Sequence, residues 1–286
     1  VSAGSGIALV TGAGGNVGRE VCAELLRRGV PLRAAALDER DAAAVPGGVP
    51  WVPFDFARPE THAAALEGVD RVFLMRPPHM AEAAAFDPFI AAMRAAAVRQ
   101  VAFLSLLGVE KNPVVPHHAI EKRLRDSGLG WTMVRPAFFM QNLTTTHLAD
   151  LRAGRIVVPA GGGRTSFIDV RDIGAVAALT LAEDGHVGRA YSITGGEALT
   201  YHECAALLSE ASGRRIVYTR PSGREFSRHM AAQGFPPDYI RVMRGIYLVC
   251  RLHMAGRITG ELPRLLGRPA ITFARFARDS ASLLTA

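Results

Sequence analysis

The chain has 286 residues, 49% of them hydrophobic and 21% charged, which sets it among globular proteins with a sizeable core and excludes a disordered or fibrous class. Its formal charge of +7 is uneven: residues 213–286 hold thirteen Arg against four Asp/Glu, a balance of +9, and the remainder is −2. Three widely spaced cysteines, Cys22, Cys204 and Cys250, argue against a disulfide framework and for a reducing, cytoplasmic setting.

No apolar run is long enough for a membrane span. Residues 1–6 read as a short disordered leader, and no signal or transit segment is expected because a strand-like run follows at once. That run, IALVT (7–11), reads as a buried strand. A Gly-rich turn and a helix over 16–29 follow, the helix closed by Gly29. Strands are expected at 32–37, 49–54, 70–75, 101–108 and 131–136, with helices at 87–100 and 118–128 between them. Alternation of this kind predicts an α/β fold, a parallel sheet with helices on both faces.

Beyond residue 137 the rhythm loosens. Residues 155–170 read as a strand, a Gly turn and a second strand, followed by a helix (171–184) and a strand (189–195). A helix over 200–213 carries a Thr200/Glu203 capping box, and a strand covers 214–220. Residues 238–256 read as an amphipathic helix with Asp238 at its N-cap and a stop at Gly256. Its apolar stripe would run through Tyr239, Val242, Met243, Ile246 and Val249/Cys250. Such a stripe serves as core or as a lid over substrate.

The turn TGAGGNVG (11–18) places Gly12, Gly15 and Gly18 between a strand and a helix. Gly12 permits the tight turn, Gly15 lets the backbone approach a pyrophosphate, and Gly18 lets the helix pack close to the sheet. The helix start, with Asn16 and Val17, offers N–H groups and a partial positive charge to phosphates. This context supports dinucleotide binding.

The Gly-x-x-Gly-x-x-Gly spacing after Thr11 resembles the short-chain dehydrogenase/reductase superfamily. SGLGWTMVRPAFFMQN (127–142), FIDVRDIGAVAA (167–178), YSITGGEALTYHECAALLSEASGRRIVY (191–218) and LLGRPAITFARFARD (265–279) resemble its atypical, NmrA-like branch, so the likeness covers nearly the whole chain. It implies a Rossmann-type doubly wound parallel sheet with a smaller C-terminal α/β substrate domain. The division expected is residues 1–150, completed by segments from about 155–195, and then residues 196–286. It also implies an NAD(P)H-dependent reductase of quinones, dyes or phenolic compounds, or a redox sensor without turnover that binds a protein partner.

The ribose is read at the end of the second strand, where the family's Arg-Asp is here Leu37-Asp38. Arg40 could reach a 2′-phosphate, which suits NADP. Asp38 could accept a 2′-hydroxyl, which suits NAD; either residue could simply begin the next helix. The resemblance implies adenine contact at Asp55-Phe56 and cofactor lining at Met75-Arg76-Pro77 and Pro136.

None of the five tyrosines is followed four residues later by Lys, and none falls in the expected cofactor half, so a Tyr-x-x-x-Lys dyad is absent. Ordinary alcohol oxidation loses its usual acid–base group. In LLGVEKNPVVPHHAIEKRL (106–124), His117 holds the position of the family's Lys, four residues before Glu121. His117 could bond the nicotinamide ribose or donate a proton, or be a half-exposed histidine at a helix start. His118 and Lys122 imitate the dyad spacing, but His118 should point about 100° from His117. Ser105 could bond substrate or nicotinamide, or be a buried strand serine. His79, Phe139, Met140 and Asn142 are candidates for substrate contact, with core packing the alternative for Phe139 and Met140. A quinone-like or conjugated aromatic acceptor can hold the incoming electron pair without a protein acid. No metal-ligand spacing occurs. The expected partner is a small aromatic or quinone-like molecule, not a membrane or nucleic acid, with a homodimer allowed.

Overall fold

A computed structural model describes residues 6–285. The leader expected over residues 1–6 therefore lies, Gly6 apart, outside the described residues. In chain order the elements are β1 (Ile7–Thr11), α1 (Asn16–Arg27), β2 (Leu32–Ala36), α2 (Glu39–Ala42), β3 (Trp51–Pro53), α3 (His62–Ala65), β4 (Val69–Met75), α4 (Asp87–Ala95), β5 (Gln100–Leu104), α5 (Pro116–Asp126) and β6 (Gly130–Pro136). Then come β7 (Phe138–Phe139), α6 (Leu148–Arg152), β8 (Arg155–Ile156), β9 (Thr165–Ile168), α7 (Val170–Ala182), β10 (Arg189–Ile193), β11 (Ala198–Leu199), α8 (Tyr201–Ser212), β12 (Val217–Tyr218), α9 (Gly223–Ala232), α10 (Pro237–Arg251), α11 (Glu261–Leu266), α12 (Phe273–Asp279) and α13 (Ala281–Thr285).

The chain divides into two compact units, residues 6–136 with 170–193, and residues 137–169 with 194–285. The boundary thus falls at Pro136, not near residue 150. Only α7 and β10 of the later chain return to the first unit.

In the first unit seven parallel strands pair in the order β3-β2-β1-β4-β5-β6-β10. Strand order reverses between β1 and β4, and this is where open α/β sheets bind ligands, outside the carboxyl ends of the strands. The central strands are apolar on both faces because helices cover both. Residues 8–11 of β1 and 71–74 of β4 are all buried. Arg71 among them shows that a long side chain can be buried there too. Helix α1 buries Val17, Val21, Cys22 and Leu25, one face at helical spacing, and Gly29 ends it in the left-handed conformation at φ +67°. Below the sheet an aromatic cluster of Phe54, Phe56, Phe86, Phe89 and Phe103 forms the core with Leu9, Leu74 and Met93.

The second unit has its own core around Met140, Phe167, Tyr201, Phe226, Tyr247, Phe273 and Phe276. Two small sheets serve it: β11-β9-β7, and the parallel pair β12-β8. The two strands read in residues 155–170 therefore belong to different sheets. Helix α8 starts with the capping box, Thr200 accepting from the Glu203 N–H and Glu203 from the Thr200 N–H. Helix α10 departs from expectation. Its N-cap is Pro236, it ends at Arg251, and its buried face is Ile240, Met243, Tyr247 and Cys250. Val242, Ile246 and Val249 are exposed instead. The helix has two apolar stripes, and periodicity does not say which one the core takes. Among the described residues no helix is long and apolar enough to cross a membrane.

Candidate cofactor and reaction site

Thr11 ends β1 at the reversal of strand order. Its hydroxyl donates to the Phe73 carbonyl and accepts from the Met75 N–H, both at 3.0 Å, fixing β1 to β4. Gly12 then turns at φ +62°, and a Cβ there would meet Met75 Cγ at 2.8 Å. A Cβ on Gly18 would fall 2.0 Å from the Gly12 carbonyl oxygen, so helix and turn can close only with glycine at 18. Gly15 is the N-cap of α1 and is exposed, and no side chain caps the helix. The first-turn N–H groups therefore lack an acceptor within the helix and sit at its positive end. Val17 turns its side chain into the core, leaving its backbone for a ligand, while Asn16 is half-exposed. This cradle fits a pyrophosphate.

At the end of β2 the chain makes a reciprocal turn. Asp38 Oδ1 accepts from the Asp41 N–H at 2.9 Å, and Asp41 Oδ2 accepts from the Leu37 N–H at 3.0 Å. Asp38 is thus the N-cap of α2, the plainer of the roles open to it, with one carboxylate oxygen engaged. Leu37 is exposed, as is Arg40, which has no ion pair among the described residues. Asp41 was not singled out from sequence, although its three-residue spacing from a capping Asp is a legible signal.

Beyond β3, Asp55 Oδ1 accepts from the Ala57 N–H at 2.9 Å. Phe56 is a correction to the adenine-contacting pair. Its ring is buried, edge-on to Phe54 at 4.8 Å and to Phe89 at 5.6 Å, so only its backbone can serve a ligand. After β4, Met75 supports Gly12 from below. Arg76 curls back, Nη1 donating to the carbonyls of Pro77, Pro78 and Met80, while its Nε is buried without a partner. Burial lowers its pKa. Pro77 is half-buried and His79 exposed.

His117 is the second residue of α5, its ring centroid 6.0 Å from that of Phe103. Nδ1 is buried with no hydrogen-bond partner. Burial and the neighbouring charge of Arg76 push its pKa down to about 4, against the pull of Glu121. The imidazole is therefore neutral at pH 7, which corrects the expectation of a group titrating in the physiological range. The two orphaned buried nitrogens, Arg76 Nε and His117 Nδ1, mark this part of the first unit as one that a polar ligand would complete. His118 turns the other way, its Nδ1 3.0 Å from the Val109 carbonyl, and Lys122 pairs with Asp126 in solvent.

Ser105 is buried and its hydroxyl donates to Glu121 Oε1 at 2.7 Å, so its proton is already committed. Glu121 also accepts from Arg135 through Nε at 2.8 Å and Nη2 at 2.6 Å. Burial alone would raise the Glu121 pKa, but the Arg135 and Ser105 hydrogen bonds outweigh it and the carboxyl lies below its usual value. Two residues of the sequence signature, Glu121 and the Arg of Arg-Pro, thus hold α5 to β6. Pro136 is buried, and its carbonyl accepts from the Leu107 N–H. One further correction concerns Tyr191. It lies in β10 of the first unit, not outside the cofactor half, with its hydroxyl 2.8 Å from His186 Nδ1. Gly195 stands four residues on, so it forms no dyad.

The remaining substrate candidates belong to the second unit. Phe139 and Asn142 are half-buried, while Met140 is fully buried in that unit's core and is corrected to a packing residue.

A family model described as NAD(P)H-binding matches residues 12–184, more than half of the chain. An NAD(P)H azoreductase of Xenophilus azovorans is 34% identical over 96% of this chain and 98% of its own. Quinone oxidoreductase 2 of Escherichia coli is 26% identical over 93% and 95%. The crystal structure of the NADPH-dependent quinone oxidoreductase from Escherichia coli, complexed with NADPH, superposes with a TM-score of 0.85 at 26% identity, over 95% of this chain and 99% of that one. With a glycine cradle of this geometry, the chain belongs to the NAD(P)H-binding family and has the atypical, NmrA-like Rossmann fold.

Proposed function

We propose that this protein is an NAD(P)H-dependent oxidoreductase that reduces a conjugated aromatic, quinone-like or polyketide-type substrate by hydride transfer, without a Tyr-x-x-x-Lys dyad. The observation that carries the reading is the uncapped start of α1 behind Gly12, Gly15 and Gly18, in a unit whose one described tyrosine has no partner lysine. The azoreductase and quinone oxidoreductase relatives support the substrate class.

When bound, the reduced nicotinamide supplies the hydride. In this reading the N–H groups of Asn16 and Val17 hold the pyrophosphate, Asp55 and the Phe56 backbone face the adenine, and Arg40 meets a 2′-phosphate, favouring NADPH. Met75, Arg76, Pro77 and Pro136 line the nicotinamide half. Neutral His117 offers a hydrogen bond to cofactor or substrate; it does not carry a transferable charge-neutralising proton at pH 7. The proton on the reduced product comes from water. Such a route suits acceptors that delocalise the electron pair, and it disfavours simple ketones. Ser105 acts through Glu121, and His79, Phe139 and Asn142 are the proposed substrate contacts. The proposal includes a cytoplasmic setting, in keeping with three free buried cysteines, and a homodimer, in keeping with exposed Val242, Ile246 and Val249.

The test follows NADPH and NADH absorbance at 340 nm with a panel of quinones, azo dyes and polycyclic ketones. Turnover with at least one conjugated acceptor and none with simple aliphatic ketones is expected. Tight cofactor binding with no oxidation by any acceptor would overturn the enzyme reading and leave a cofactor sensor.

A further inference from the structure

The second unit contains a pocket of about 370 Å³ that the reductase reading does not use, lined by Arg155, Val157, Thr219, Arg220, Pro221, Glu225 and His229. The parallel strands β8 and β12 build it. Val217 pairs with Arg155 and Tyr218 with Ile156, so both strands deliver their following residues, Val157 and Thr219–Pro221, to one place. Helix α9 supplies the third wall.

The polar groups there are held, not merely near one another. Asp150 is 1% exposed, and both its carboxylate oxygens lie 2.8 Å from His229 Nε2. A buried carboxylate thus fixes the tautomer and ring orientation, with Nε2–H donating. In that tautomer His229 Nδ1 carries a lone pair, so the ring serves as a wall of the pocket and the donors to an anion come from the arginines. Asp150 also steadies Arg155 through Nε at 3.4 Å, and the two Nη groups have no ion pair among the described residues. Arg220 has no ion pair among the described residues. It adopts the left-handed conformation at φ +50° immediately before Pro221. For a long side chain that backbone is strained, and such strain persists where surrounding structure enforces it, often at ligand sites.

The chemistry of the walls selects the occupant. Two arginine forks match a carboxylate or a phosphate. Glu225 also lines the pocket, its carboxylate accepting from the Ser222 N–H to cap α9. A fixed negative charge on the wall disfavours a dianion more than a monoanion. Val157 and Pro221 offer apolar surface to a hydrocarbon body. Nucleophilic catalysis is not supported: Thr219 donates its hydroxyl proton to the Ile156 carbonyl, and the Ser222 hydroxyl accepts from the Glu225 N–H as the helix cap. We propose that this pocket is a second ligand site, which binds a small organic monocarboxylate between Arg155 and Arg220, with His229, oriented by Asp150, as one of its walls. It also gives a role to part of the basic C-terminal segment, which the cofactor site leaves unexplained.

The test is calorimetric titration of the full chain, saturated with NADPH so that anions cannot report on the glycine cradle, with benzoate and separately with inorganic phosphate. Benzoate is expected to bind with a Kd of about 1 mM, the range of a single paired carboxylate with a small apolar body, and phosphate more weakly. Arg220→Gly removes the cation and suits the left-handed backbone, so it is expected to fold at least as well as the parent. Its benzoate affinity should fall about tenfold or more. His229→Gln should lose less, and NADPH affinity should not change in either variant. The proposal is overturned by no heat with benzoate, by binding that survives Arg220→Gly, or by phosphate binding as tightly as benzoate. A folded Arg220→Gly with normal quinone turnover keeps this result separate from the reductase reading.

Discussion

Arg135 at the end of β6 grips Glu121 in α5 with two hydrogen bonds, 2.8 and 2.6 Å, across a contact in which the carboxylate is 2% exposed. Arg125 and Ser105 complete the shell around the same carboxylate, and Glu110 takes the outer edge of Arg135. The pair anchors the helix that begins with Pro116 and His117.

Breaking that pair from one side leaves a buried charge. Glu121→Leu is expected to lower stability by about 3–5 kcal/mol, the usual cost of orphaning one member of a buried pair. Urea unfolding monitored by circular dichroism measures it. Lys122→Ala, one residue along but in a solvent-exposed pair with Asp126, should leave the midpoint unchanged. Equal effects of the two substitutions would show that the buried network does not hold α5.

The glycine cradle separates folding from binding. Gly15 is exposed, and an added Cβ would meet only the Gly12 carbonyl oxygen at 3.2 Å. Gly15→Ala should fold normally yet bind NADPH about tenfold more weakly, about 1.4 kcal/mol, because the methyl stands where phosphates approach. Gly18→Ala, with its Cβ 2.0 Å from the same oxygen, should lose thermal stability as well. Fluorescence titration with NADPH and melting curves distinguish the two. An unaltered affinity in Gly15→Ala would remove the phosphates from this turn.

Two histidines make the fold acid-sensitive. Burial, the first cause in both, pushes His117 and His147 from 6.5 to about 4. Between those values the unfolded chain binds protons that the folded chain refuses. Their contribution is therefore fully present above about pH 6.5 and is lost as pH falls toward about 4, at up to about 1.4 kcal/mol per pH unit for each histidine. Urea midpoints from pH 7 to 4.5 should fall, and His147→Gln should flatten the slope. That variant keeps an amide near Tyr247, whose hydroxyl lies 2.7 Å from His147 Nε2. A parent slope that is already flat contradicts the assignment.

Neutral His117 also sets an expectation for turnover. The rate of quinone reduction should show no limb near pH 6.5 belonging to this residue, and His117→Gln should raise KM for NADPH or quinone more than it lowers kcat. A bell-shaped profile whose acid limb vanishes in His117→Gln would instead make it the proton donor.

Arg40 is the cation available to a 2′-phosphate. Arg40→Ala is expected to raise KM for NADPH about tenfold, about 1.4 kcal/mol, while KM for NADH stays unchanged. Steady-state kinetics with both cofactors decide it. Equal changes for both would assign the ribose to Asp38 instead.

Local chemistry made much of the first unit legible. A strand, a three-glycine turn and an amphipathic helix within residues 7–29 require no distant partner to be recognised, and the Thr200/Glu203 box is complete within four residues. What sequence could not supply was direction and company. Two apolar stripes compete on α10, and only packing in the core of the second unit turned Ile240 and Tyr247 inward in place of Val242 and Ile246. Met140 could be a ligand contact or core, and the surrounding aromatic and aliphatic side chains decided for core; Phe56, read from sequence as an adenine contact, has its ring in the aromatic cluster. The His117 pKa depends on burial and on Arg76, 41 positions earlier in the chain. Asp150 and His229 are 79 residues apart, a spacing with no local signature. The sequence by itself determined the alternation of elements, the cofactor turn and the missing dyad, because those rest on near-neighbour backbone chemistry. The tertiary structure alone decided which polar groups are buried together, because desolvation and long-range pairing exist only once the chain has closed.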